Sequence, residues 1–281
     1  MMVAASSERA GQATSLFEDL QSRICTRFET IEGRSSAARF ESTRWSRPAE
    51  HRLKGGGHMR LMRGAVLEKV GVNVSRVWGT LSEAGIAQLP GAQESAGEFV
   101  ACGISLVAHP ANPHAPTVHL NLRYLATSID WIGGGSDLTP AIEYPDDTSA
   151  FHQALHGACD SYRPDAYQEY SEWCDRYFFL PHRHERRGVG GIFFDNLRGT
   201  DWSADLAFLQ QVGKAFLEVY PAILERRIDT PFDAADRARQ LAKRGRYVEF
   251  NLVYDRGTRF GFMTDANPDA YLMSLPPLAS W

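Results

Sequence analysis

The segment Val118-His119-Leu120-Asn121-Leu122-Arg123-Tyr124 constrains the fold most, because apolar and polar residues alternate through it without a break. Successive side chains of a β-strand point to opposite faces, so Val118, Leu120, Leu122 and Tyr124 are predicted to enter a core. His119, Asn121 and Arg123 then share the other face. That polar set combines a proton carrier, an amide that both donates and accepts, and a permanent cation suited to gripping a carboxylate. An edge strand with a solvated polar face gives the same pattern, and the alternation alone does not choose between the two.

The surrounding sequence places this strand in an α+β context. Ser15 and Glu18 have capping-box spacing, and Leu16, Leu20, Ile24 and Phe28 recur at helical intervals, which predicts an opening amphipathic helix. Residues 59–79 read as strands with a tight turn, broken at Arg63-Gly64 and at Gly71. Residues 99–108 and 118–126 read as strands separated by Pro110, Pro113 and Pro116. Helices are expected at 149–161, 165–177 and 204–227, with a strand at 189–195 between them. Thr230-Pro231 looks like a helix start and Gly245 like a helix stop. Residues 246–255 alternate again, which predicts a strand paired with 258–264 across Asp255-Arg256-Gly257. Strands come in neighbouring pairs more than in βαβ units, so the expected architecture is a large, mostly antiparallel sheet flanked by helices, in a single domain over residues 1–281.

Composition narrows the function classes. Hydrophobic residues at 43% and charged residues at 23% are ordinary for a globular chain. A formal net charge of −4 gives no global reason to expect nucleic acid or an anionic membrane as partner. Cys25, Cys102, Cys159 and Cys174 form no C-x-x-C pair and read as reduced thiols. The first 14 residues lack the apolar run of a secretory signal, and no segment approaches the roughly 20 apolar residues of a membrane span. A cytoplasmic protein is the expectation.

The run Gly133-Gly134-Gly135-Ser136-Asp137 reads as a glycine turn that presents Asp137 at its end. It lacks the Lys and Ser/Thr of a phosphate loop, and the chain has no G-x-G-x-x-G. His109, His119, His152 and His182 fall in segments that could converge on a metal, although their spacing matches no zinc or iron motif. The basic run from His182 to Arg187 is either a solvated turn or a rim that receives a polycarboxylate ligand.

Taken together, these segments resemble the oxygen-dependent coproporphyrinogen III oxidase family. The resemblance runs from about Arg44 to Leu278 and rests on residues 67–73, 105–110, 119–124, 133–140, 173–175 through 187–195, 245–251 and 272–277. It implies conversion of two propionates of coproporphyrinogen III to vinyl groups, giving protoporphyrinogen IX with release of CO₂. O₂ is the implied co-substrate, with no organic redox cofactor, and the implied assembly is a homodimer on an antiparallel sheet. By resemblance, Ser105 and the segment Asn121, Leu122 and Arg123 fall on substrate-binding positions. His119 falls on the proton-donor position, and Asp137 and Arg123 on positions important for catalysis. His109, His119, His152 and His182 fall on positions of divalent-metal ligands. Asp265, Ala266 and Asn267 fall on further substrate-binding positions, where many relatives carry two glycines and often an arginine. The chain ends at Trp281, where many relatives are expected to continue. Two rivals stay open: a metal-dependent oxygenase using the four histidines, and a porphyrin-binding carrier without turnover.

Overall fold

A computed structural model describes residues 2–199, 201–263 and 267–281. The chain opens with helix α1 (Met2–Glu32), followed by strands β1 (Glu41–Ser46), β2 (Leu53–Met62) and β3 (Leu67–Thr80) and the short helix α2 (Glu83–Ile86). Strands β4 (Glu98–Pro110), β5 (Thr117–Ala126) and β6 (Asp130–Thr139) come next, then helices α3 (Pro145–Asp160) and α4 (Ala166–Tyr177). The two-residue strands β7 (Phe179–Leu180) and β8 (Glu185–Arg186) precede β9 (Gly190–Leu197). Helices α5 (Trp202–Arg227), α6 (Ala234–Val253), α7 (Arg256–Met263) and α8 (Pro268–Tyr271) complete the chain, with a 3₁₀ turn at Leu272–Ser274.

Seven strands form one antiparallel sheet in the order β1-β2-β3-β4-β5-β6-β9. Period-two alternation gives it two unlike faces. On one, Val70, Val72 and Val74 of β3, Ile104 and Leu106 of β4, Val118, Leu120, Leu122 and Tyr124 of β5, and Ile192 and Phe194 of β9 are buried against α1, α3 and α5. The α1 contribution is a clean helical stripe of Ala10, Ala13, Phe17, Leu20, Ile24, Phe28 and Ile31. That stripe begins before Ser15, so the helix starts earlier than the capping-box spacing suggests.

The second face carries the polar residues and is covered at one end by the C-terminal elements. Asn73 donates to the carbonyl of Ala270, Lys69 to that of Leu275 and His109 to that of Ser274, which ties the segment after α7 across β3 and β4.

Several local expectations are corrected. Residues 246–253 of the expected strand 246–255 belong to helix α6, because Gln240, Arg244, Tyr247 and Asn251 recur at helical spacing as its buried face, while Leu252 and Val253 of the apparent alternation are exposed. Residues from 256 continue into α7, so no hairpin forms at Asp255-Arg256-Gly257. Gly245 lies inside α6 rather than stopping it: a Cβ there would stand 2.4 Å from the carbonyl oxygen of Ser280, which packs directly on the helix. The start of α6 is set by Asp233, which forms a capping box with Asp236, and not by Thr230-Pro231. Finally, residues 133–137 are strand and not turn, and Gly71 sits within β3.

Candidate active site

Antiparallel register assembles the polar face in rows. Asn73, Ser105, Asn121 and Gly135 are partners across β3 to β6. Beside them run Gly71, Val107, His119, Asp137 and Gly191, and on the other side Ser75, Gly103, Arg123 and Gly133. Ser105, His119, Asn121 and Arg123 are half-buried, so they combine partial desolvation with access. The strand thus brings Ser105, His119, Asn121, Arg123 and Asp137 to one face. Leu122 is sealed in the core on the opposite side.

His119 Nδ1 lies 2.9 Å from Asp137 Oδ1. A carboxylate only accepts, so Nδ1 carries the proton, and Nε2 meets no partner among the described residues. Behind Asp137 stands Arg187, whose Nη2 donates to both carboxylate oxygens at 2.8 Å. Both members of this pair are 2% exposed. Burial opposes ionisation of Asp137, but the Arg187 charge and the hydrogen bonds from His119 and Arg187 outweigh it and hold the carboxyl below its usual range. The Arg187 guanidinium lies 3.9, 4.5 and 4.8 Å from the rings of Phe178, Tyr247 and Phe250, and its Nη1 donates to Asn251.

Arg123 donates from Nη1 to Asn121 Oδ1 at 3.0 Å and pairs through Nη2 with Asp195 of β9 at 2.8 Å. Gly133 makes that crossing possible, since a Cβ there would lie 2.6 Å from Asp195 Oδ1 and 2.8 Å from Arg123 Nε. The other Asp195 oxygen pairs with Arg256 at 3.2 Å, so two guanidiniums converge on one carboxylate. Arg256 also lies over the rings of Tyr177 and Phe193. An anionic ligand that entered here would meet two oriented cations.

The four candidate metal histidines engage four different sets of partners. His109 donates through Nε2 to the Ser274 carbonyl and accepts at Nδ1 from Thr117. His152 donates to the Val189 carbonyl and accepts from the Tyr167 hydroxyl. His182 donates to Glu249 and accepts from the Tyr254 hydroxyl. In these three rings the lone pair a metal would need is taken by a hydroxyl. No group of three or more metal-capable side chains forms among the described residues, so this donor set does not fit a shared ion.

Asn267 caps α8 by accepting the Asp269 N–H and reaches Met59 of β2, while Asp265 and Ala266 lie outside the described residues. Sequence reasoning did not single out Arg187, Asp195 or Arg256 individually. Of the three, Arg187 and Asp195 lay within quoted motifs, and Arg256 sat in the expected hairpin.

Comparison with known proteins gives a family and relatives. The family model described as coproporphyrinogen III oxidase matches residues 12–281. A protein of Rickettsia bellii (strain OSU 85-389) named oxygen-dependent coproporphyrinogen-III oxidase is 48% identical over 274 residues, covering 95% of this chain and 96% of the relative. Proteins of the same name from Rickettsia africae (strain ESF-5) and Rickettsia akari (strain Hartford) are each 48% identical, over 94% and 93% of this chain and 95% and 94% of their own lengths.

Proposed function

From the premise that this chain belongs to the coproporphyrinogen III oxidase family, we propose that its polar sheet face decarboxylates two propionates of coproporphyrinogen III in an O₂-dependent reaction, yielding protoporphyrinogen IX for haem synthesis. Each turnover of one propionate has a definite balance. The –CH₂–CH₂–COO⁻ group gives –CH=CH₂ and CO₂, two electrons pass to O₂, and one net proton is consumed to complete H₂O₂. The electron-rich pyrroles can supply the electrons, so the tasks left to the protein are positioning, charge stabilisation and proton delivery.

One observation carries the assignment of those tasks: His119, backed by Asp137, stands two rows from Arg123, with Asn121 between them, on the accessible face of a sheet whose other face is sealed. Arg123, with Arg256 beside it, grips a propionate carboxylate. Asn121 and Ser105 hydrogen-bond the substrate between the charged rows. His119 carries the proton through Nε2. Asp137 holds the imidazole and places negative charge near the pyrrole N–H groups. Asn267, which reaches Met59, borders the substrate at the β2 side.

The histidines work by hydrogen bonding and proton transfer, a reading supported by the committed ring nitrogens of His109, His152 and His182. No helix among the described residues is long and apolar enough to cross a membrane, and the four cysteines are buried free thiols, which supports a cytoplasmic enzyme. The whole chain acts as one catalytic domain within a homodimer. Exposed Leu252, Val253 and Phe262 on α6 and α7 offer apolar surface for association.

The test is turnover of coproporphyrinogen III in air and under argon, before and after chelator treatment. Protoporphyrinogen IX formed only in air, at the same rate before and after chelator treatment, is the expected result. Product under argon would overturn the oxidase reading, and stoichiometric metal whose removal reversibly stops turnover would return the histidines to a ligand role.

A further inference from the structure

Arg187 is the one residue of the basic run 182–187 whose side chain is fully withdrawn from solvent. Its backbone N–H donates to the Phe178 carbonyl, and its guanidinium enters between Phe178, Tyr247 and Phe250 to reach Asp137. A buried ion pair is a poor device for stability, because desolvation of both charges cancels most of their attraction, and apolar residues of similar volume often serve as well. This pair therefore needs another reason to exist. Its geometry supplies one. Nη2 occupies both Asp137 oxygens, Nη1 is anchored on Asn251, and the Asp137 oxygen facing β5 accepts from His119.

We propose that Arg187 is a positioning residue of the active site: by holding both oxygens of Asp137 it makes that carboxylate a fixed acceptor for the Nδ1–H of His119, which leaves Nε2 as the nitrogen that exchanges protons with the substrate. The role rests on the reading of His119 as the proton carrier given above. Without Arg187 the carboxylate can rotate away from the ring or draw in water, and the imidazole can populate the other tautomer with its proton on the wrong nitrogen. Substrate binding does not pass through Arg187, since Arg123 and Arg256 are oriented by Asp195 on β9.

The experiment compares Arg187→Met, Arg187→Lys and His119→Gln in steady-state kinetics with coproporphyrinogen III. Long-range ¹H–¹⁵N spectra, recorded where the ring is neutral, read the His119 tautomer, and the His119→Gln spectrum assigns the signal. Arg187→Met is expected to lower kcat on the order of 10²-fold, with KM within about threefold, and to lose the single Nδ1–H signature. Arg187→Lys keeps the charge and should recover part of both. Arg187→Met with wild-type kcat, or with the Nδ1–H tautomer intact, would overturn the role. Should Arg187→Met fail to fold, Arg187→Lys carries the test: a fall in kcat at unchanged KM with mixed tautomers supports the proposal, and wild-type kcat with one tautomer overturns it. His119→Gln separates the two levels. Full activity in that variant defeats the proton-carrier reading itself and this role with it, whereas an inactive His119→Gln beside a normal Arg187→Met defeats only the role of Arg187.

Discussion

His119 and Asp137 are register partners on adjacent antiparallel strands, and their side chains meet at 2.9 Å on the half-open face of the sheet. Register sets the approach of the two side chains, and Arg187 holds the carboxylate against the ring, so the contact is rigid.

Replacing Asp137 tests that rigidity together with its electrostatics. Asp137→Asn should lower turnover on the order of 10²–10³-fold with the fold retained. Both substitutions remove the countercharge of buried Arg187, so both should destabilise the protein, Asp137→Ala by about 3–5 kcal/mol and Asp137→Asn, which keeps a hydrogen-bond acceptor, by less. Denaturant unfolding of both variants beside wild type checks this; wild-type stability in Asp137→Ala would show that Arg187 is not dependent on Asp137.

Arg123 should act in binding. Its guanidinium is held by Asn121 and Asp195 in a planar arrangement that an ammonium cannot copy. Arg123→Lys is therefore expected to raise KM by about tenfold or more while kcat changes less, as loss of uniform binding does. A fall confined to kcat would move Arg123 from binding to chemistry.

Gly133→Ala offers a subtler perturbation of the same group. The added methyl would meet Asp195 Oδ1 and Arg123 Nε well inside van der Waals contact, so it should displace the guanidinium at a cost of about 1–3 kcal/mol. The expected phenotype is weakened substrate binding in a folded protein, read from KM and from the unfolding midpoint. Wild-type KM would mean that the Arg123–Asp195 pair is not part of the binding surface.

His109 gives the fold a defined acid sensitivity. Burial, aided by the nearby Arg244, Lys69 and Arg187 cations and opposed only by its bond to Ser274, lowers its pKa to about 3. The folded value lies below the unfolded one of about 6.5, so the unfolded chain binds the proton first. Stability is thus unaffected above about pH 6.5 and declines as pH falls from there toward 3. Between pH 7 and pH 5 wild type should lose about 2 kcal/mol more than His109→Gln. Parallel losses in the two proteins would contradict a neutral, buried His109.

The polar face of β5 was legible because a period of two is a local signal, and all of its members sit within seven residues. Asp137 was visible as a residue but not as the partner of His119. Three successive glycines read as a turn, whereas here they let the backbones of β5, β6 and β9 and the Arg123 side chain approach closely. Arg187 was hidden for a different reason. Arg183, His184 and Arg186 around it are exposed, and nothing within the run marks the one side chain that turns inward to a carboxylate 50 positions away. The strand expected at 246–255 failed because Tyr247, Phe250 and Asn251 stand at the i, i+3, i+4 spacing of one helix face. The choice was made by long-range packing of Arg187 and Ser280 against α6.

The most direct test follows carbon dioxide. With carboxyl-labelled coproporphyrinogen III, wild-type enzyme in air should release label from two propionates per molecule and none under argon. Asp137→Asn should bind the substrate with little change in KM yet release label on the order of 10²–10³-fold more slowly. Release at the wild-type rate by Asp137→Asn would contradict the placement of the chemistry on this face of the sheet.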